Sequence, residues 1–243
     1  MQAILQKSIP YDIECQRPLP GVAPLDMADW LIVDSAFAAQ MNERENLLNS
    51  RRAEVVAVTD RGRTAADELL NFVLDWLTKF APGYGVSGAG MVRPDGVTIP
   101  LDRSDPMGTL GQLVQEDLCL LEKRGDEHVL TAAVLCFPAS WRLSDKIDKP
   151  LTAIHGPVPE YDAPLARRVQ RLFDGVREGR PLWRFNVLRY AEPDLFQPLS
   201  LEAPRTGASE GDYPFIRSER QCVVRLPETR ACVFSIHSYV RQA

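Results

Sequence analysis

The sequence predicts an α+β fold: an antiparallel sheet flanked by helices, with an N-terminal helical extension. Three observations lead there. Two pairs of apolar runs, residues 114–121 with 128–137 and 221–226 with 231–239, are each joined by a short polar turn, as in hairpins. Residues 182–190, LWRFNVLRY, alternate like a strand. Helical periodicity stands in stretches that bracket and partly interrupt these strands, which is the pattern of segregated helices on an antiparallel sheet.

Taken in order, residues 1–26 carry four prolines and two apolar patches and predict an irregular arm over the main body. Asp26 can cap a helix starting at Met27, and the helix formers from Asp34 to Met41 and polar residues 42–49 carry it on. Residues 51–58, RRAEVVAV, read as a short strand. Thr64 opens the clearest helix, with Leu69, Phe72, Val73, Trp76, Leu77 and Phe80 on one face and Asp67 and Glu68 in the first turn, where the helix dipole favours acids. Pro82-Gly83 stops it. The run GYGVSGAG, 83–90, lacks the preceding strand, following helix and lysine of a nucleotide loop, so it predicts a flexible connection.

The first hairpin turns at Lys123–Asp126, and its second strand continues through Val134–Phe137 to Pro138. Arg142–Lys149 has the composition of a solvated turn or short helix. Ala163–Val176 is an amphipathic helix with Leu165, Val169, Leu172 and Phe173 inward. Residues 200–213 read as a polar loop. No repeat, low-complexity segment or linker divides the chain. The domain reading is an N-terminal arm and helix, 1–50, packed on a main body, 51–243, as one structural unit.

The bulk numbers bound the function. With 45% hydrophobic residues and 25% charged, the chain has the composition of an ordinary globular protein with a sizeable core. A net charge of -5 speaks against a nucleic-acid partner, which normally meets a basic face. No apolar run reaches transmembrane length and the N-terminus lacks a signal-peptide pattern, so no membrane role and a cytoplasmic location are expected. Five widely spaced cysteines without a C-x-x-C speak against disulfides or zinc and suit a reducing compartment.

Three histidines can be weighed singly. His128 lies beside Asp126 and Glu127 at a hairpin turn, where exposure is expected. His237, in FSIHSY, reads as one face of a strand. His155 follows the apolar run Leu151–Ile154 and precedes Gly156-Pro157-Val158-Pro159, whose prolines stiffen the backbone and disfavour helix beyond it. A structural imidazole and a ligand are both open readings. Zinc needs three or four donors, and no partner stands at ligand spacing. Haem needs only one proximal imidazole and an apolar slot. In RSERQ, Arg217 and Arg220, if they face a pocket, could hold carboxylates such as haem propionates bidentately, while Glu219 receives a cationic amine. A solvated strand edge is the plain alternative. No G-x-S-x-G supports a serine hydrolase.

VQEDLCLL (114–121), CFPASW (136–141) through DKIDKPLTAIHGPVP (145–159), GRPLWRFN (179–186) and ERQ…RLP…VFSIHSY (219–239) closely resemble the haem-dependent oxidative N-demethylase α-subunit-like family, over roughly residues 20–240. The resemblance implies a PAS-like domain binding haem b and oxygen-dependent, oxidative N-demethylation of a small secondary amine. Electrons would come from NADPH through a separate reductase with flavin and iron–sulfur components, for which this chain has no signature. It implies His155 as the axial metal ligand and Glu219 as the distal catalytic carboxylate, with Arg217, Arg220 and Asn186 as cofactor-binding residues. Val187 after Asn186, FPASW for the usual F-P-S-x-W, and His237 in place of an arginine depart from the family pattern and bear on substrate identity. A haem or gas sensor without turnover, and a haem-free binding subunit, are the alternatives, since fold does not settle function.

Overall fold

The computed structural model describes residues 3–156, 161–199 and 213–243. Its centre is a seven-stranded sheet in the order β1-β8-β9-β10-β6-β7-β2. The strands are β1 (Ala23–Pro24), β2 (Val56–Val58), β6 (Asp117–Arg124), β7 (Glu127–Val134), β8 (Leu182–Tyr190), β9 (Phe215–Arg225) and β10 (Cys232–Gln242), and every pair is antiparallel. A three-stranded sheet, β3 (Gly85–Ser87), β4 (Gly90–Val92) and β5 (Thr98–Ile99), stands apart from it. The helices are α1 (Phe37–Ser50), α2 (Arg52–Val55), α3 (Arg63–Phe80), α4 (Pro106–Leu113), α5 (Leu151–His155) and α6 (Ala163–Gly175). The fold is therefore α+β with an antiparallel sheet.

Strand alternation divides the core in two. Leu118 and Leu120 of β6 and Val233 of β10 join α1, α3 and α4 in one cluster, whereas Cys119, Leu121, Cys232 and Ile236 enter a second cluster with Leu151 and Phe173 of α5 and α6. Trp30, Leu47 and Leu48, from the N-terminal segment, belong to the first cluster, so the arm and α1 share a core with the sheet. The close approach of α4 needs glycine: a Cβ at Gly111 would lie 2.7 Å from Cγ2 of Val134. Arg44 of α1 and Asp117 of β6 form an ion pair at 2.7 Å, both sealed from solvent. Asp117 also accepts the backbone N–H groups of Cys136 and Phe137, and Arg44 donates to the carbonyls of Gly111 and Gln115. One charge pair thus ties α1, α4, β6 and the chain leaving β7.

Several expectations change. Asp26 caps only a 3-10 turn, Met27–Asp29, before the chain passes into α1 eight residues on at Phe37. Residues 51–58 split into α2 and β2, because Val55 turns inward and only Val56–Val58 reach the edge of β7. The glycine-rich run is not a loose connection: Gly85–Ser87 and Gly90–Val92 pair as strands. β7 stops at Val134, and Leu135–Phe137 are buried without pairing as strand because Asp117 takes two of their N–H groups. α4 was not foreseen; Asp105 caps it and Pro106 opens it. The expected polar loop at 200–213 lies, apart from Tyr213, outside the described residues, as do residues 157–160 after His155.

Candidate functional site

α5 is one turn of helix, too short to stand alone. It is anchored by the segment before it, which adds to β7: Leu130 donates to the Lys149 carbonyl, Asp148 donates back to the Leu130 carbonyl, and Pro150 bridges Val129. That fixes His155, the last residue of the turn, over the sheet face that carries the second core cluster. Its Nδ1 lies 2.9 Å from the Leu151 carbonyl, an acceptor only, so Nδ1 bears the proton. The ring stacks on Tyr161 at 4.4 Å between centroids and 17° between planes. Burial lowers the imidazole pKa, the Leu151 carbonyl opposing it. His155 is thus a neutral ring whose free lone pair is on Nε2, the state a metal ligand requires.

His155 lines a cavity of about 740 Å³ between the sheet, α5, α6 and the N-terminal arm. Its apolar walls are Leu121, Leu130, Val223, Phe234 and Ile236 from the strands and Leu151, Ile154, Leu165, Val169 and Phe173 from the helices. Gln16–Pro20 of the arm close another side. The arm is held by main-chain and side-chain bonds from Gln6 to β10 and by Tyr11, which stacks on Phe185 at 4.5 Å.

At one end the cavity turns polar, by strand register. β8 and β9 set Asn186 opposite Glu219 and Arg184 opposite Gln221, and all four side chains line the cavity. Oε2 of Glu219 accepts from Nδ2 of Asn186 at 3.0 Å and from Nε2 of Gln221 at 3.2 Å. Asn186 in turn accepts the Glu219 N–H at 3.0 Å, and Arg184 donates to Oε1 of Gln221 at 2.7 Å. Glu219 is 7% exposed, its donors fall on Oε2, and Oε1 accepts no hydrogen bond but stands 3.7 Å from a guanidinium nitrogen of Arg217. Arg184 is half-buried, its pKa lowered by desolvation against the pull of Glu219, and its Nε has no hydrogen-bond partner. Tyr161 brings a second orphan, a buried phenol oxygen, with its pKa pushed up to about 12 by burial.

The structure brings together His155, Asn186 and Glu219 at the cavity, with Arg217 beside Glu219 at 3.7 Å and Arg220 on the other sheet face. Arg217 and Arg220 are three residues apart in one strand and so face opposite ways. Arg217 donates to the carbonyls of Leu195 and Phe137, and Arg220 to those of Trp30 and Asp29, on the far side of the sheet. Neither lines the cavity. The cations that do are Arg17, Lys146 and Arg184. Sequence reasoning missed Arg184 and Gln221, although period-two alternation with Asn186 and Glu219 was signal enough. The arm could not be placed without its tertiary contacts.

The other histidines have different lives. His128 is 1% exposed, not solvated: Nδ1 pairs with Gln170 of α6 at 2.9 Å, and Phe173 packs on the ring. Burial lowers its pKa. His237 lies on the opposite sheet face from the cavity, between Glu116 at 3.0 Å and Asp34 at 3.2 Å. Although burial opposes charge, those two carboxylates raise its pKa to about 9.

Among the described residues no group of three or more His, Cys, Asp or Glu could hold a metal ion, and no helix is long and apolar enough to cross a membrane. One imidazole falls short of the three or four protein donors that zinc takes, whereas a haem needs a single proximal imidazole. None of the curated proteins compared with the chain matches it. The family model described as "Haem-dependent oxidative N-demethylase, alpha subunit-like" matches residues 21–243. The chain belongs to that family.

Proposed function

We propose that this protein binds haem b through Nε2 of His155 in a PAS-like domain, and that it is an oxygen-dependent oxidative N-demethylase of a small secondary amine. The carrying observation is a neutral, carbonyl-held imidazole in the same large apolar cavity as a buried carboxylate, one oxygen of which takes no hydrogen bond and meets only the Arg217 guanidinium at 3.7 Å. The residues present fit the group: the apolar lining would suit a porphyrin, and the unpartnered Nε of Arg184 would offer a donor to an anion. Arg184, Arg17 and Lys146, and not Arg217 or Arg220, would hold the propionates.

Haem, when bound, supplies the iron at which dioxygen is reduced with electrons from a separate reductase. The chain's own residues do the rest. Glu219 receives the substrate ammonium on Oε1 and takes its N–H proton there, while Asn186 and Gln221 fix the carboxylate through Oε2. Val187 and Ile236 give that end of the cavity apolar surface, which strengthens the ion pair. In balance, amine, dioxygen, two electrons and two protons give an N-hydroxymethylamine and water, and the former splits into formaldehyde and the smaller amine.

The test is an absorbance spectrum of hemin-reconstituted protein, wild type and His155→Ala, followed by oxygen uptake on a panel of secondary and tertiary methylamines with an artificial reductant. A Soret band lost in the variant and amine-dependent uptake are expected. A band without uptake turns the reading to a haem or gas sensor, and no band at all to a haem-free subunit.

A further inference from the structure

On the sheet face away from His155 a second, smaller cavity of about 260 Å³ opens between α3 and the turn at Met27–Asp29. We infer that it binds a small alkylammonium ion, held by the Glu116 carboxylate and the rings of Trp76, Phe80 and Tyr84. This site is independent of the haem reading and of Glu219.

Glu116 lines the cavity, is 1% exposed, and leaves Oε2 with no hydrogen-bond partner. Its other oxygen is spent on the Ile32 N–H at 2.8 Å and on His237. A buried carboxylate oxygen without a donor is costly unless something supplies one. The charge count agrees. Asp34 and Glu116 are two carboxylates against one His237 imidazolium, and the Arg44 guanidinium, which also feels Glu116, is paired with Asp117. Arg220, on the same sheet face, commits its guanidinium to the Asp29 and Trp30 carbonyls instead.

The walls select what fills the gap. Trp76 gives its indole N–H to the Met27 carbonyl and Tyr84 its hydroxyl to the Leu113 carbonyl, so neither ring brings a free donor to the cavity. Trp76 and Phe80 meet at 5.6 Å between centroids with 43° between planes, forming a corner. Lys79 reaches the Phe80 ring at 4.8 Å but is not part of the lining. Leu31, Ile32, Leu77 and Pro94 complete an apolar enclosure. Aromatic faces with one carboxylate favour an N-methylated ammonium: its methyl groups pack, its charge meets the rings, and its remaining N–H reaches Oε2. A hydrated metal ion would find a single oxygen and no other ligand.

Titration calorimetry with trimethylammonium chloride on the full-length Glu219→Gln protein isolates this site from the larger cavity. One equivalent is expected to bind, and adding Glu116→Gln or Ala28→Phe is expected to weaken it about tenfold or more. Ala28 lines the opening and is exposed, so a phenyl group there blocks the cavity without entering the core, should Glu116→Gln fail to fold. No saturable binding, binding indifferent to both changes, or equal binding of neutral tert-butanol each overturns the proposal.

Discussion

The two faces of the seven-stranded sheet handle an imidazole in opposite ways. On the face under α1, α3 and α4, His237 is clamped by Asp34 and Glu116, both ring nitrogens spent, and the ring is a structural cation. On the face under α5 and α6, His155 has one nitrogen on a carbonyl, the other uncommitted, and a cavity in front of it. The difference is in the partners, not in depth alone. Two carboxylates make burial of a charged ring tolerable; with a lone carbonyl as partner, burial prevails, the ring stays neutral and its lone pair is left for a ligand.

The comparison can be broken by exchanging the losses. His155→Ala is expected to abolish the Soret band of reconstituted protein and leave the urea midpoint nearly unchanged, because its ring is only half-buried and at the cavity edge. His237→Ala should do the reverse, keeping the band and costing about 3–5 kcal/mol in urea unfolding, since two buried carboxylates then face each other. Equal spectra for wild type and His155→Ala would end the assignment of the ligand.

Asp117→Ala, in the packed face, is expected to cost about 3–5 kcal/mol by stranding Arg44 and two backbone N–H groups. A midpoint within error of wild type would show that the pair is not the tie between α1, α4 and β6.

The pH dependence sharpens the contrast further. The folded pKa of His237, about 9, lies above its ordinary 6.5, so its stabilisation is complete below 6.5 and is lost as pH rises towards 9. Asp34, lowered from 3.8 to about 2, adds stability above 3.8 that is lost as pH falls through about 2. Both shifts belong to one ion pair and count once. The stability difference between wild type and His237→Gln should therefore hold steady from about pH 4 to 6.5 and shrink by pH 9. A difference that grows with pH would refute the clamp.

The smallest effect is expected at Arg184. Without a ligand its buried Nε is unsatisfied, so Arg184→Met should raise the apo-protein's stability by about 1 kcal/mol while weakening hemin binding. Loss on both counts would make it a plain structural residue.

Much of the sheet was legible because its signals are local. Alternation in LWRFNVLRY and the two polar turns marked β8 and both hairpins, and the apolar stripe from Leu69 to Phe80 marked α3. α4 was missed because its eight residues, two of them glycine, carry little helix propensity and are held by packing on the sheet. His128 was misjudged because charged neighbours in sequence said exposure, while Gln170 and Phe173, some 40 residues on, cover it. Of the candidate site, His155 and Glu219 could be singled out in the chain. That Arg217 and Arg220 cannot share one pocket also followed from strand parity, had it been applied to the three-residue gap.

By itself the sequence determined the family of the chain and its α+β class and named His155 and Glu219 as candidates, because residue type and short-range period are properties of the chain alone. Only the tertiary structure decided which groups share a space. Strand register set Arg184, Asn186, Glu219 and Gln221 side by side, and the pairing of Asp148–Pro150 with β7 carried His155 over them. Contacts between distant segments likewise spent some polar atoms and left others bare. That inventory depends on neighbours many residues away in the chain, which no local pattern encodes.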